Sequence, residues 1–312
     1  MIFASRLNSF ATKETDKNVL KMIDKVSEVE GINGVEFNYP QHLEGVSAEE
    51  IKQNLCKHNL TATGVSLRFG DSFKSGEFTS LNDEITEKAY ELVENAIKEC
   101  RELGAKTVTI CPTYDGFEYS FRLDYSKARN KQIEIIRKLA LNNPDINISL
   151  EYKPYNPKGY NIIGDIGTAI IALNDINCRN TGLTLDFCHA VMKRDNPSHS
   201  LDFAFEKSNV LGIHMNDTID GFPGGMMVGS YHFMQTIEFI YYLMKHNYDR
   251  TIFFDTVPTL ERSDEECKRN MKIFKKIQNL INDIGIEYIN DKIKSGDKFI
   301  AQDILLKLLN NY

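Results

Sequence analysis

Apolar clusters and helical periodicities alternate along the chain as far as about residue 285. Eight short runs read as strands: Ile2 to Asn8, Gly34 to Tyr39, Ala62 to Arg68, Thr107 to Cys111, Ile148 to Lys153, Leu183 to Cys188, Leu211 to Asn216 and Thr251 to Thr256. Between them apolar residues return every three or four positions. After the third strand these are Ile85, Ala89, Leu92, Val93, Ala96, Ile97 and Cys100, which predicts a helix with one face on a core. Ser47-x-x-Glu50 ahead of Ile51 and Leu55, and Ser263-x-x-Glu266 ahead of Met271, Phe274, Ile277 and Ile281, are expected capping boxes. Further helices are expected near residues 17–30, 126–142, 164–176, 199–208 and 232–246. Eight successive β/α units predict one closed (β/α)8 barrel over residues 1–284 rather than an open doubly wound sheet, and no Gly-rich phosphate loop follows any strand.

Beyond residue 285 the register changes. A terminal helix over Asp297 to Leu309 places Phe299, Ile300, Ile304, Leu305, Leu308 and Leu309 on one side, so residues 285–312 form a helical extension. Its apolar face packs on its own barrel or on a second subunit of a homodimer or homotetramer.

The totals narrow the partners. A chain of 312 residues with 42% apolar content affords a large core, and 37 basic against 44 acidic residues leave a net charge of -7 with no basic block. Nucleic-acid binders usually show a basic patch or stripe, so this balance argues against a phosphate-backbone partner. No apolar run approaches the roughly 18 residues of a membrane span, and Met1 to Arg6 reads as a strand rather than a secretory signal. Six cysteines without CxxC spacing read as reduced thiols of a cytoplasmic protein.

Strand side chains alternate between two faces. Ser149, Glu151 and Lys153 share one face, opposite Leu150 and Tyr152; Thr184, Asp186 and Cys188 share one, opposite Leu185 and Phe187. A parallel barrel buries its outward residues under helices, so the polar sets face the axis. At the C-terminal strand ends, where barrel active sites lie, the fifth strand delivers Glu151 and Lys153, and the sixth Asp186 with His189 beyond it. The seventh delivers His214 and Asn216 with Asp217 following, and the eighth Asp255. Three carboxylates and an imidazole left bare there cost several kcal/mol in repulsion and desolvation. A divalent cation held by Glu151, Asp186, His214 and Asp255 removes that cost; pairing with lysines and backbone amides is the alternative. Oxygen-rich ligands with one nitrogen suit Mn2+ first, then Mg2+, Co2+ or Zn2+. Cys188 is either a further ligand or a small inward core residue. Glu36 and Arg68 also point inward, as a structural pair or as contacts to substrate hydroxyls. His42, His58, His199 and His246 read as solvated surface groups.

Taken in order, Glu151-x-Lys153-Pro154, Asp186-x-x-His189, His214-x-Asn216-Asp217 and Asp255 resemble the xylose-isomerase-like superfamily of TIM barrels, most of all its L-rhamnose isomerase branch. The resemblance implies a metal-dependent sugar isomerase that interconverts an aldose and a ketose of an unphosphorylated sugar or close derivative. It implies Glu151, Lys153, Asp255 and His189 as catalytic groups, with Lys153 near the substrate carbonyl. His189, Asp217, Asn216 and Arg68 are implied contacts to a second ion, an activated water or the substrate. The chain departs from the pattern at Asp220-Gly-Phe-Pro-Gly-Gly225, where relatives carry further aspartates. Ketose 3-epimerases of the superfamily use one metal and two glutamates; here the eighth strand supplies the shorter Asp255. Alternatives on the same site are such an epimerase, a dehydratase of a cyclic polyol ketone, a multi-zinc endonuclease relative, or a catalytically silent sugar-binding barrel. Specificity is expected from the loops Phe69 to Thr79 and Tyr114 to Leu123, with Phe73, Phe78, Tyr114, Phe117, Tyr119 and Phe121.

Overall fold

Strand and helix signals translate directly into elements in the computed structural model, which describes the chain except residues 157, 220, 221, 223, 259–261, 311 and 312. The expected strands form as β1 (Ile2–Arg6), β2 (Gly34–Tyr39), β3 (Thr61–Leu67), β4 (Thr107–Ile110), β5 (Asn147–Glu151), β6 (Thr181–Asp186), β7 (Val210–Met215) and β8 (Thr251–Phe254). Each pairs in parallel with its sequence neighbours, and β1 closes the barrel on β8, with Ile2 opposite Thr251 and Ser5 opposite Phe254. Outward residues such as Val35, Ile148, Leu150, Leu185, Ile213 and Phe254 are buried among helices. The inward layer is hydroxyl-rich: Ser149 Oγ and Thr184 Oγ1 lie 2.6 Å apart, and Thr109 Oγ1 is 3.4 Å from Thr184. The two-residue period thus sends the strands' polar groups to the axis.

The shell comprises α1 (Val19–Ser27), α2 (Ala48–Lys57), α3 (Asp83–Glu102), α4 (Tyr125–Asn142), α5 (Ile166–Ile176), α6 (Phe187–Lys193), α7 (Pro197–Lys207), α8 (Phe233–Lys245), α9 (Ser263–Ile284), α10 (Ile286–Lys294) and α11 (Ile300–Asn310). Ser47 and Glu50 form the expected reciprocal cap on α2. The second expected cap does not form: α9 already includes Ser263, which lies within its first turn, with Arg262 in the capping position and no side-chain cap. The sixth strand also stops sooner than its apolar run suggests. Asp186 Oδ1 accepts from Cys188 N at 2.8 Å and His189 N at 3.3 Å, starting α6 at once. A small hairpin, Tyr155–Asn156 with Gly159–Tyr160, follows β5 and was not anticipated.

In the extension, Ile289 of α10 and Ile304 of α11 are buried, whereas Phe299, Leu306 and Leu309 stay exposed. No described helix is long and apolar enough to cross a membrane. All six cysteines are unbridged.

Candidate metal centre

Three adjacent strands end in one cluster. Glu151 closes β5, Asp186 closes β6 and His214 stands on β7; one ligand atom from each lies within 4.8 Å of the others. His214 Nδ1 is 3.4 Å from Glu151 Oε1 and 4.0 Å from Asp186 Oδ2. His189, on the first turn of α6, places Nδ1 3.4 Å from the same Glu151 oxygen and Nε2 4.0 Å from Asp186 Oδ2. All four residues are buried, yet Glu151 Oε2, His214 Nδ1 and His189 Nδ1 make no hydrogen bond among the described residues. Each such atom costs about 1–3 kcal/mol when desolvated without a partner. Two carboxylates and imidazole nitrogens converging with unfilled valences fit a divalent cation.

Electrostatics agree with the geometry. Burial alone would raise the Glu151 carboxyl, but His214, His189 and Arg68 pull it well below the usual range. Burial alone would lower His214; Glu151 and Glu36 instead lift it well above an ordinary imidazole. Without a cation His214 therefore keeps a proton in the place a cation would take. Its Nε2 lies 3.7 Å from Glu36 Oε1, and Glu36 in turn accepts from Ser66 Oγ. Asn216 Nδ2 donates to both Asp186 oxygens at 3.2 Å, so Asn216 positions this carboxylate.

Other expected residues take different places. Asp255 joins neither cluster: its Oδ1 is 3.2 Å from Arg6 Nη1, a partner across 249 positions that strand closure brings in. Arg6 was not singled out in the sequence, although it ends β1 as the others end their strands. Asp217 is wholly buried; Oδ2 accepts from Tyr231 N at 2.7 Å and His232 N at 2.9 Å, and Oδ1 from Thr218 N at 2.8 Å, with His232 Nδ1 also at 2.8 Å. It braces the loop after β7 and belongs to no metal-holding group among the described residues. Of the loop Asp220 to Gly225, residues 220, 221 and 223 lie outside the described residues. Cys188 clusters with Asp186 and His189; burial, then Asp186 beside it, pushes its thiol well above the usual value, which disfavours the thiolate a ligand would supply. Gly224 passes so close to Cys188 that any added Cβ would collide with its sulfur. Glu36 and Arg68 do not pair with each other; Arg68 Nε donates to Asn38 Oδ1 at 3.1 Å. His42 is not a surface group. It is 2% exposed, its Nδ1 accepts from Asn38 N at 2.9 Å, and burial lowers it to about 4. His58 and His246 are half-buried, each 2.6 Å from an aspartate, while His199 is exposed.

Glu151, Lys153, Asp186, His189, Asn216, Asp255, Arg6 and Arg68 line one cavity of about 360 Å³, within the range of small-ligand sites. Thr113 also lines an adjoining cavity of about 740 Å³, walled by Tyr114, Phe117 and Tyr160. Of the expected loop aromatics, Phe69, Phe73 and Phe78 pack on one another and are buried, whereas Tyr119 and Phe121 are exposed. The loops here also hold a buried acid pair. Glu77 Oε1 accepts from Thr113 N and Tyr114 N at 2.9 and 2.8 Å, and Asp115 Oδ2 from Gln132 Nε2 at 2.6 Å. Burial, with Asp115 nearby, raises Glu77 to about 8, and burial raises Asp115 to about 7.

A family model described as a xylose isomerase-like TIM barrel matches residues 23–277. No curated protein sequence gives a match. Among solved structures, a D-tagatose 3-epimerase-like protein superposes with a TM-score of 0.73 at 16% identity, covering 91% of this chain and 99% of that one. A D-allulose 3-epimerase from Methylomonas sp., in complex with D-allulose, gives 0.71 at 18% identity, covering 88% and 96%. The IOLI protein with a bound zinc atom gives 0.66 at 14%, covering 89% and 96%. The eight-stranded closed barrel and the family match over most of its length place this chain in the xylose isomerase-like TIM barrel family.

Proposed function

We propose that the protein is a cytoplasmic, divalent-metal-dependent sugar epimerase acting next to a ketose carbonyl. The observation that carries this reading is the cluster of Glu151, Asp186 and His214, with unfilled buried valences, in a cavity that a further carboxylate, Asp255, also lines. These three residues, aided by His189, would hold the cation, with Mn2+ the first choice. A cation there supplies positive charge where a substrate carbonyl oxygen becomes negative. Lys153, at the cavity wall without an ion pair among the described residues, donates a hydrogen bond to that oxygen. Inverting a carbon requires a proton to leave one face and another to arrive on the opposite face. Glu151 and Asp255 come from strands three apart around the barrel and serve as that pair of acid–base groups. Arg6, 3.2 Å from Asp255 Oδ1, orients that carboxylate.

Proton transfer is preferred over a two-ion hydride shift because Asp217 is committed to its loop and offers no oxygen to a second ion. Aldose–ketose interconversion by the same proton abstraction is the second reading, favoured by Lys153 two residues beyond Glu151. Protein loaded with Mn2+ and given D-allulose or D-tagatose in D2O decides between them by NMR. Deuterium at C3 of an epimeric ketose is expected; deuterium at C2 of a new aldose marks the second reading. Product formed without solvent deuterium, or undiminished turnover after full chelation, overturns the proposal.

A further inference from the structure

We infer that the natural substrate carries an anionic group, foremost a carboxylate, and that Arg68 is the side chain that reads it. The inference rests on the cation-assisted sugar chemistry proposed above. Arg68 follows β3, with Nε tied to Asn38 Oδ1, and its side chain lines the inner cavity without an ion pair among the described residues. Lys153, after β5, lines the same cavity, also without one. Cys111, on the strand end between them, supplies no negative charge, because burial pushes its thiol well above the usual value.

Charge accounting makes the gap specific. With a divalent cation in place, Glu151 and Asp186 are neutralised, and Asp255 is matched by Arg6. Glu36, bonded to Ser66 and beside His214, is the remaining inward carboxylate to set against two cations, Arg68 and Lys153. One positive charge is left over in the cavity. A neutral sugar would lie against that charge without compensating it. A carboxylate matches it one for one, and the planar guanidinium fork binds carboxylate or phosphate oxygens in pairs. The adjoining cavity continues the bias: Arg122 and Lys158 line it without ion pairs among the described residues, against a single unpaired acid, Glu118.

The test is calorimetric binding to the Mn2+-loaded full chain, with D-fructose, D-fructuronate and D-fructose 6-phosphate as probes. One carbon skeleton then carries no charge, a carboxylate or a phosphate. A charge-assisted contact predicts that an anionic probe binds roughly ten- to a hundred-fold tighter than D-fructose. Tighter binding of the phosphate than of the carboxylate identifies phosphate as the source of the anion. Arg68→Met should bring the anionic-to-neutral ratio close to one, and Arg68→Lys should retain part of it; retained Mn2+ stoichiometry shows that each variant is folded. If Arg68→Met does not fold, the Arg68→Lys ratio alone decides. Equal affinity for all three probes, or a ratio unchanged in the Arg68 variants, overturns the inference. Epimerisation of neutral ketoses with no anion preference would sink this inference and leave the proposed function standing. Arg68-dependent anion binding with no turnover of any probe would do the reverse.

Discussion

Replacing Glu36 by Gln isolates what the outer partner of His214 contributes. If His214 offers Nδ1 to a cation, its proton must sit on Nε2, and Glu36 Oε1, 3.7 Å away, is the carboxylate that side of the ring faces. Glutamine preserves volume and the contact with Ser66 but removes the charge that orients the ring and makes it more basic. Outer partners of this kind are worth about 10–100-fold in metal affinity, or roughly 1.4–2.7 kcal/mol. A second effect opposes the first. Glu36 also helps to hold the His214 proton, which a cation must displace, so the variant loses less affinity as the pH falls. Glu36→Gln should therefore bind Mn2+ more weakly at pH 8 to 9, while the pH at which affinity begins to decline moves downward. Titration followed by the EPR signal of free Mn2+, from pH 5.5 to 9, reads both quantities. Equal affinity at pH 8 with an unmoved pH profile would refute the assignment of Nδ1 to the cation.

Asp186→Asn should abolish metal uptake and turnover together while the melting temperature changes little, because an amide oxygen can still cap α6 at a cost of under about 1 kcal/mol; elemental analysis beside circular dichroism checks it. Asp217→Asn should behave oppositely. Weakening its bonds to Tyr231, His232 and Thr218 costs about 3 kcal/mol and several degrees of melting temperature, but the metal stoichiometry stays at the wild-type value. The Glu77 and Asp115 carboxyls keep protons in the fold that the unfolded chain has released, since their values are raised to about 8 and 7 from 4.5 and 3.8. Stability from this pair is present at acid pH and is lost as pH rises through about 8. Glu77→Gln, whose amide can donate where the proton did, should flatten the fall of melting temperature between pH 6 and 9; an unchanged slope by scanning calorimetry would show that the pair is ionised.

The barrel was legible because its cause is periodic. Two-residue alternation at 149–153 and 184–188 fixed which side chains turn inward, and that was enough to bring Glu151, Asp186 and His214 together. Periodicity gives depth and face but not pairing. Arg6 meets Asp255 only when the first strand closes on the last. Asp217 reads as one more strand-end acid until the returning chain at Tyr231 and His232 occupies its oxygens. His42 looked solvated because its burial comes from neighbours distant in sequence, notably Asn8. The hairpin pairing Tyr155–Asn156 with Gly159–Tyr160 left only Asn156 and Gly159 as a trace.

The brace at Asp217 bears on how this barrel can diversify. An acid that holds up a wall cannot be recruited for new chemistry without first building another support. A lineage moving from this protein toward two-ion catalysis would have to pass through a sagging loop or gain a substitute anchor beforehand. Mutational drift should therefore be freer among the groups lining the cavity than at the carboxylate just behind them.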